Sequence, residues 1–125
     1  MTWYPSIELI EVIFEKQIGY KVQYANKQNL ESALDMIRWG IPTQNPLSIW
    51  EKAAILMRNI TQFHVFADGC KRVGIQVSYI FLLKNGYLLN PKDPEEIFIF
   101  PMNVAKGILE FNDIATWFRT HSQSC

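Results

Sequence analysis

Between Val73 and Leu83 the chain puts apolar side chains on nearly every side of a helix: Val73, Ile75, Val77, Ile80, Phe81, Leu82 and Leu83. A helix that is apolar all round has to be covered all round, and its cover must come from other elements of the same fold. The longest apolar stretch, Val77 to Leu83, is broken by Ser78 and is far shorter than the ~20 residues that span a bilayer. The expectation is a central buried helix over about 71–85, stopped by Asn85-Gly86, inside an all-α helical bundle. With 125 residues, 49% apolar and 19% charged, the chain can bury a core without disulfides. One domain over 1–125 is expected.

The surrounding helices announce themselves by their ends. Ser6 reads as the cap of a first helix, with Leu9, Val12, Ile13 and Ile18 as its apolar stripe and Gly19 as its stop. Tyr20 to Gln28 reads as a loop, and Asn29 as the cap of a second helix that turns Leu30, Ala33, Leu34 and Ile37 inward and ends at Gly40. Ile41 to Pro46, with two prolines, is an exposed loop or a short extended flap. Ser48 and Glu51 fit a capping box opening a third helix to about Phe63, striped by Ile49, Ala53, Leu56, Ile60 and Phe63. Asp93-Pro94-Glu95-Glu96 is a further start signal, and Pro101 is expected to break that segment in two. A last helix takes Ile114, Ala115, Trp117 and Phe118, and the polar tail HSQSC is expected to fray.

Charge and cysteine usage exclude several classes of function. Twelve basic and twelve acidic residues leave no formal net charge, which argues against a nucleic-acid partner. The N-terminal MTWYPSIELIE turns acidic early and does not read as a signal peptide, so a cytoplasmic protein with no membrane attachment is expected. The two cysteines, Cys70 and Cys125, form no disulfide framework. With His64 and His121 they offer zinc-like spacings, H-x5-C and H-x3-C. The second pair lies on the polar tail, a poor place for a structural metal site.

The chemistry concentrates where the central helix begins. Lys71 and Arg72 occupy its first turn. A helix N-terminus already carries about half a positive charge, so two cations there are unfavourable unless an anion sits between them. The amides of Gly69, Cys70 and Lys71 are candidate free donors of that helix start, and together these groups describe a phosphate cradle. Asp68 precedes the cradle, where a carboxylate beside phosphates is the usual way to hold Mg2+. His64 stands one loop away, and an imidazole titrates in the range that suits a general base. Phe66 between them reads as a core anchor. Taken singly, each element has a structural alternative: a histidine helix cap, an Asp-Gly turn, a solvated Lys-Arg pair.

The segment His64-Val65-Phe66-Ala67-Asp68-Gly69-Cys70-Lys71-Arg72 resembles the signature of the Fic/Doc family, HxFx(D/E)(G/A)N(G/K)R, and matches specific residues at six of nine positions. The order of elements, down to the apolar helix ending in KNGY, resembles the short death-on-curing (Doc) type over almost the whole chain. Lys71, where adenylylating Fic enzymes usually carry Gly, leans the same way.

The resemblance implies an all-α Mg2+-dependent enzyme that transfers part of ATP to a Ser or Thr hydroxyl of a protein target. For the Doc type it implies transfer of the γ-phosphoryl group, elongation factor Tu as target and restraint by an antitoxin partner. Carried over, His64 would deprotonate the target hydroxyl, Asp68 would hold Mg2+, the Gly69, Cys70 and Lys71 amides would bind phosphates, and Arg72 would pair with the terminal ones. Ile41–Pro46 would correspond to the flap that aligns the target chain. Two features depart from the family. Cys70 stands where the family has Asn, and a thiol is a weak hydrogen-bond donor, so a catalytically weak nucleotide- or partner-binding member is an alternative, as is Fic-like adenylylation. The inhibitory motif (S/T)xxxE(G/N) of many Fic proteins is not found in the sequence.

Overall fold

A computed structural model describes residues 1–44 and 46–125. Asn45, within the expected flap, lies outside the described residues. Among those described, six helices follow one another: α1 (Ile7–Ile18), α2 (Lys27–Trp39), α3 (Ile49–Thr61), α4 (Cys70–Lys84), α5 (Glu96–Ala105) and α6 (Phe111–Thr120). Two short strands, β1 (Tyr87–Leu89) and β2 (Ser122–Ser124), pair antiparallel with Leu88 opposite Gln123. The fold is all-α, as expected. None of the described helices is long and apolar enough to cross a membrane.

The helix ends show why the chain folds this way. Ser6 accepts from the Leu9 amide, and Gly19 closes α1 in a left-handed turn at φ 93°. Ser48 and Glu51 form both halves of the capping box at 3.1 and 2.8 Å. The cap of α2 is Asn26, not Asn29. Asn29 lies one turn inside, where its side chain donates to the Phe63 carbonyl at 2.7 Å.

The buried face of α1 is Ile10, Ile13 and Phe14; Leu9 and Ile18 of the expected stripe pack against the core, while Val12 points outward. Phe63, read as core, lies past the end of α3 and is exposed.

α4 is the central helix that the sequence announces, buried along most of its length with Leu83 exposed at its end, and it shares the centre with α3. α3 packs on α2, α4, α5 and α6, and α4 on α1, α3, α5 and β1. The two helices come together at Gly74, where a Cβ would fall on the Thr61 hydroxyl. Ser78, one turn on, returns its hydroxyl to the Gly74 carbonyl at 2.9 Å and so meets its hydrogen-bonding need inside the core.

Two expectations near the C-terminus fail. α5 runs unbroken through Pro101. Proline removes the bond to the carbonyl four residues back, but packing on either side compensates: Phe100 stacks on Trp117 at 3.7 Å between centroids, and Val104 is buried. The HSQSC tail is tied down rather than frayed. Its backbone pairs with β1, and the Cys125 amide donates to the Gly86 carbonyl at 2.9 Å.

Candidate active site

The loop joining α3 to α4 is stitched into the fold before its chemical groups emerge. Val65 is fully buried, and its carbonyl accepts the amides of Ala25 and Asn26 at 2.9 and 3.0 Å. Tyr24 and Phe66 form an antiparallel bridge, continued by the Ala67 amide to the Gln23 carbonyl at 2.9 Å. Phe66 packs between Phe14 and Tyr24, with centroids 4.8 and 5.4 Å away. It is the expected anchor. Of the two rings that grip it, Phe14 comes from α1 and Tyr24 from the α1–α2 link, which read as plain loop.

Around this anchor the polar groups turn outward. His64 is exposed and takes φ 50°, the one positive φ among the described non-glycine residues. Histidine tolerates that region better than most residues, and such backbone outliers gather at functional sites. Gly69 caps α4 at φ 77°, and no side chain caps the helix start. A Cβ on Gly69 would lie 2.5 Å from Ile18 Cδ1, so glycine is required here for both conformation and space. The Gly69 amide, expected in the phosphate cradle, instead donates to Asp68 Oδ1 at 2.8 Å. The cradle is therefore the bare amides that begin α4.

The second oxygen of Asp68 accepts from the Tyr20 hydroxyl at 3.4 Å. The Tyr20 phenol is held above its ordinary pKa, by desolvation first and then by the Asp68 carboxylate. Lys71 is exposed and makes no hydrogen bond or salt bridge to the described residues. Arg72 is exposed too, but its Nη1 donates to the Gln17 carbonyl in the last turn of α1 at 2.9 Å. Of the two cations at the start of α4, Arg72 therefore has a structural partner.

Cys70 does not face the cradle. Its thiol donates to the Phe66 carbonyl at 3.1 Å, and burial pushes its pKa up despite the nearby Lys71. A reactive thiolate, the natural guess for a cysteine at a cationic helix start, is therefore disfavoured.

His64, Asp68, Gly69, Cys70, Lys71 and Arg72 all line one cavity of about 720 Å3. Its opposite wall is apolar and comes from α5, through Ile97, Phe98, Pro101 and Met102. Sequence reasoning missed this wall and missed Tyr20. A signal was available for the wall. The run Ile97-Phe98-Ile99-Phe100 holds more large apolar side chains than one helix face can bury, and Phe98 is 73% exposed.

The donor set fits Mg2+ that arrives with phosphates. No group of three or more His, Cys, Asp or Glu is close enough to hold a metal among the described residues, which also removes the zinc reading. Mg2+ needs only one or two carboxylates when phosphate and water supply the remaining ligands. Asp68, exposed at the mouth of an uncapped helix, offers one.

An HxFxDG loop thus feeds an uncapped central helix inside an all-α fold. The profile of the Fic/DOC family matches residues 9–82, more than half of the chain and the part that carries this loop. The chain belongs to the Fic/DOC family, whose members are typically nucleotide-transferring enzymes. No curated protein matches the chain.

Proposed function

We propose that this chain is a Doc-type toxin, a cytoplasmic enzyme that moves the γ-phosphoryl group of Mg-ATP to a Ser or Thr hydroxyl of a protein target such as elongation factor Tu, and that an antitoxin protein restrains it. The observation carrying this reading is the gathering of His64, Asp68, Lys71 and Arg72 around one cavity at the bare start of α4. An uncapped helix N-terminus with two cations is built for phosphate. Lys71 has no partner among the described residues, which leaves its ammonium for the terminal phosphates.

The chemistry follows from the positions. The apolar wall of α5 takes the nucleoside side of the substrate and the α4 amides take its phosphates. Asp68 would hold Mg2+, which when bound screens the phosphate charge and orients the oxygens. His64 Nε2 or Nδ1 accepts the proton of the target hydroxyl. The hydroxyl oxygen then bonds to the γ-phosphorus, the bond to the bridging β–γ oxygen breaks, and ADP leaves with that electron pair. Arg72 pairs with the transferring group after releasing the Gln17 carbonyl.

Cys70 favours a second reading. Its thiol is spent on the Phe66 carbonyl, so it supplies no directed bond to a phosphate in place of the family's Asn. A weak or silent member that binds nucleotide without transfer fits that observation, and Fic-like adenylylation uses the same groups. ATP labelled at the γ- or the α-phosphate, offered with Mg2+ to a bacterial translation extract, separates the three. Label from the γ-position on a protein band is expected. Label from the α-position alone would replace phosphorylation by adenylylation, and label from neither would favour the silent member.

A further inference from the structure

Arg58 stands out among the charged side chains that the transfer reading leaves unused. Its guanidinium is clamped between two aromatic rings, 5.4 Å from the centroid of Phe63 and 5.0 Å from that of Phe111. It is partly buried, and its Nε has no hydrogen-bond partner. No carboxylate lies within salt-bridge distance among the described residues. Burial alone depresses its pKa, with no acidic group pulling the other way. A desolvated cation without an anion is unfavourable unless something brings the anion. A guanidinium placed against two rings still offers a planar fork that matches a carboxylate.

The surroundings point to a protein as the source of that carboxylate. Phe63 is 41% exposed and precedes the candidate base His64. Gly107 lies against Gln62, so the α5–α6 turn, with Ile108 65% exposed, rises beside the end of α3. Phe98 and Met102, on α5, are exposed and line the cavity that holds His64. Large exposed apolar side chains around one cation match the anatomy of a protein interface, where Arg and aromatic residues dominate the energetics.

We propose that this corner of α3, α5 and α6 docks the protein whose hydroxyl is modified, and that it selects a segment bearing an acidic side chain among apolar ones, with Arg58 taking the carboxylate. The proposal rests on the transfer reading for the identity of the occupant, and the single cation in an apolar surround gives the occupant its chemistry. An extended chain advances about 3.3 Å per residue, so the acidic residue would sit within a few positions of the accepting hydroxyl. Arg58 selects and does not react.

The test is selection of a random twelve-residue peptide display library on the wild-type protein, followed by affinity measurement on Arg58→Gln and Arg58→Lys. Thermal melts establish that both variants are folded. Enriched peptides should combine Asp or Glu with apolar residues, and should bind Arg58→Gln about tenfold or more weakly. Arg58→Lys, which keeps the charge and loses the fork, should fall between. Peptides without acidic enrichment, peptides that bind Arg58→Gln as well as the wild type, or the recovery of no binder would each overturn the proposal. So would a dimer of this chain that dissociates on Arg58→Gln, since the surface would then belong to a second copy. The selected peptides, extended by a threonine at either end, are then offered with Mg-ATP. Binding that depends on Arg58 without any labelling would leave the docking site standing and sink the transfer reading instead.

Discussion

The guanidinium of Arg72 crosses from the first turn of α4 to the last turn of α1 and donates to the Gln17 carbonyl at 2.9 Å. One residue thereby serves two helix ends of opposite polarity. At the C-terminus of α1 its charge is favourable and it fills an orphan acceptor; at the N-terminus of α4 the same charge is unfavourable until an anion arrives.

The first prediction concerns that double role. Arg72→Ala should weaken Mg-ATP binding about tenfold or more, the worth of one charge-assisted hydrogen bond. It should lower stability by no more than ~1 kcal/mol, because the bond to Gln17 is exposed. Calorimetric titration and thermal melts read the two effects separately. A destabilised variant with unchanged nucleotide affinity would make Arg72 a helix cap and nothing else.

His64 carries the second. His64→Ala and His64→Gly should both lose about 10²–10⁴-fold in transfer rate if the imidazole is the base. Their stabilities should differ. At φ 50° alanine carries the left-handed penalty that glycine escapes, about 1 kcal/mol. The glycine variant should therefore melt higher, with both variants binding Mg-ATP like the wild type. Equal melting points would mean that the backbone relaxes at this position.

Much of this arrangement is legible in the sequence because it is local. Capping by Ser6 and by Ser48 with Glu51 depends on residues three apart, and the stops at Gly19 and Gly40 on one residue each. The motif is equally local, since nine consecutive positions carry its groups. What the sequence hides depends on distant partners. Tyr24 and Gln23 belong to the site loop only because they pair with Phe66 and Ala67 across the fold. β1 and β2 are three residues each, too short for a period of two to show, and each is ordered only by the other. Pro101 misleads because tertiary packing of Phe100 and Val104 outweighs one missing backbone bond. The two asparagines, Asn26 and Asn29, are both good caps, and only the path of the chain chooses between them.

A third prediction follows from Gly69. Gly69→Ala would place a methyl 2.5 Å from Ile18 Cδ1 at φ 77°. Strain at such a position costs about 1–3 kcal/mol, and relief requires either Ile18 or the start of α4 to move. Denaturant melts should show the loss, and Mg-ATP affinity should fall with it. Loss of stability with full affinity would mean that Ile18 yields and the cradle does not.

The fourth concerns the thiols. Cys125 is exposed, whereas Cys70 is half-buried, bonded to the Phe66 carbonyl and raised in pKa mainly by burial. Iodoacetamide at neutral pH should label Cys125 first, read by mass spectrometry of timed samples. Because the folded pKa lies above the unfolded one, the protonated thiol favours the fold. That contribution is complete below the ordinary value of 9.0 and is lost as pH rises through the raised value. Cys70→Ala should flatten that alkaline loss. Cys70→Asn should raise transfer about tenfold or more if the missing amide is what limits the rate. Rapid labelling of Cys70 at neutral pH would contradict its half-buried position and raised pKa.

Gly74 meets no candidate substrate group, yet it governs where those groups stand. α3 delivers His64 and α4 delivers the cradle, and the two helices touch where the Thr61 hydroxyl rests against the bare Cα of Gly74. The gap between the proposed base and the proposed phosphate seat is therefore gauged by a side chain that is not there. A single added methyl would act as a shim between the helices, and a displacement of about 1 Å between reacting groups can cost on the order of a hundredfold in rate. The tolerance of the proposed site is thus set one turn below it, in the buried interior, by the thickness of a hydrogen atom against a hydroxyl.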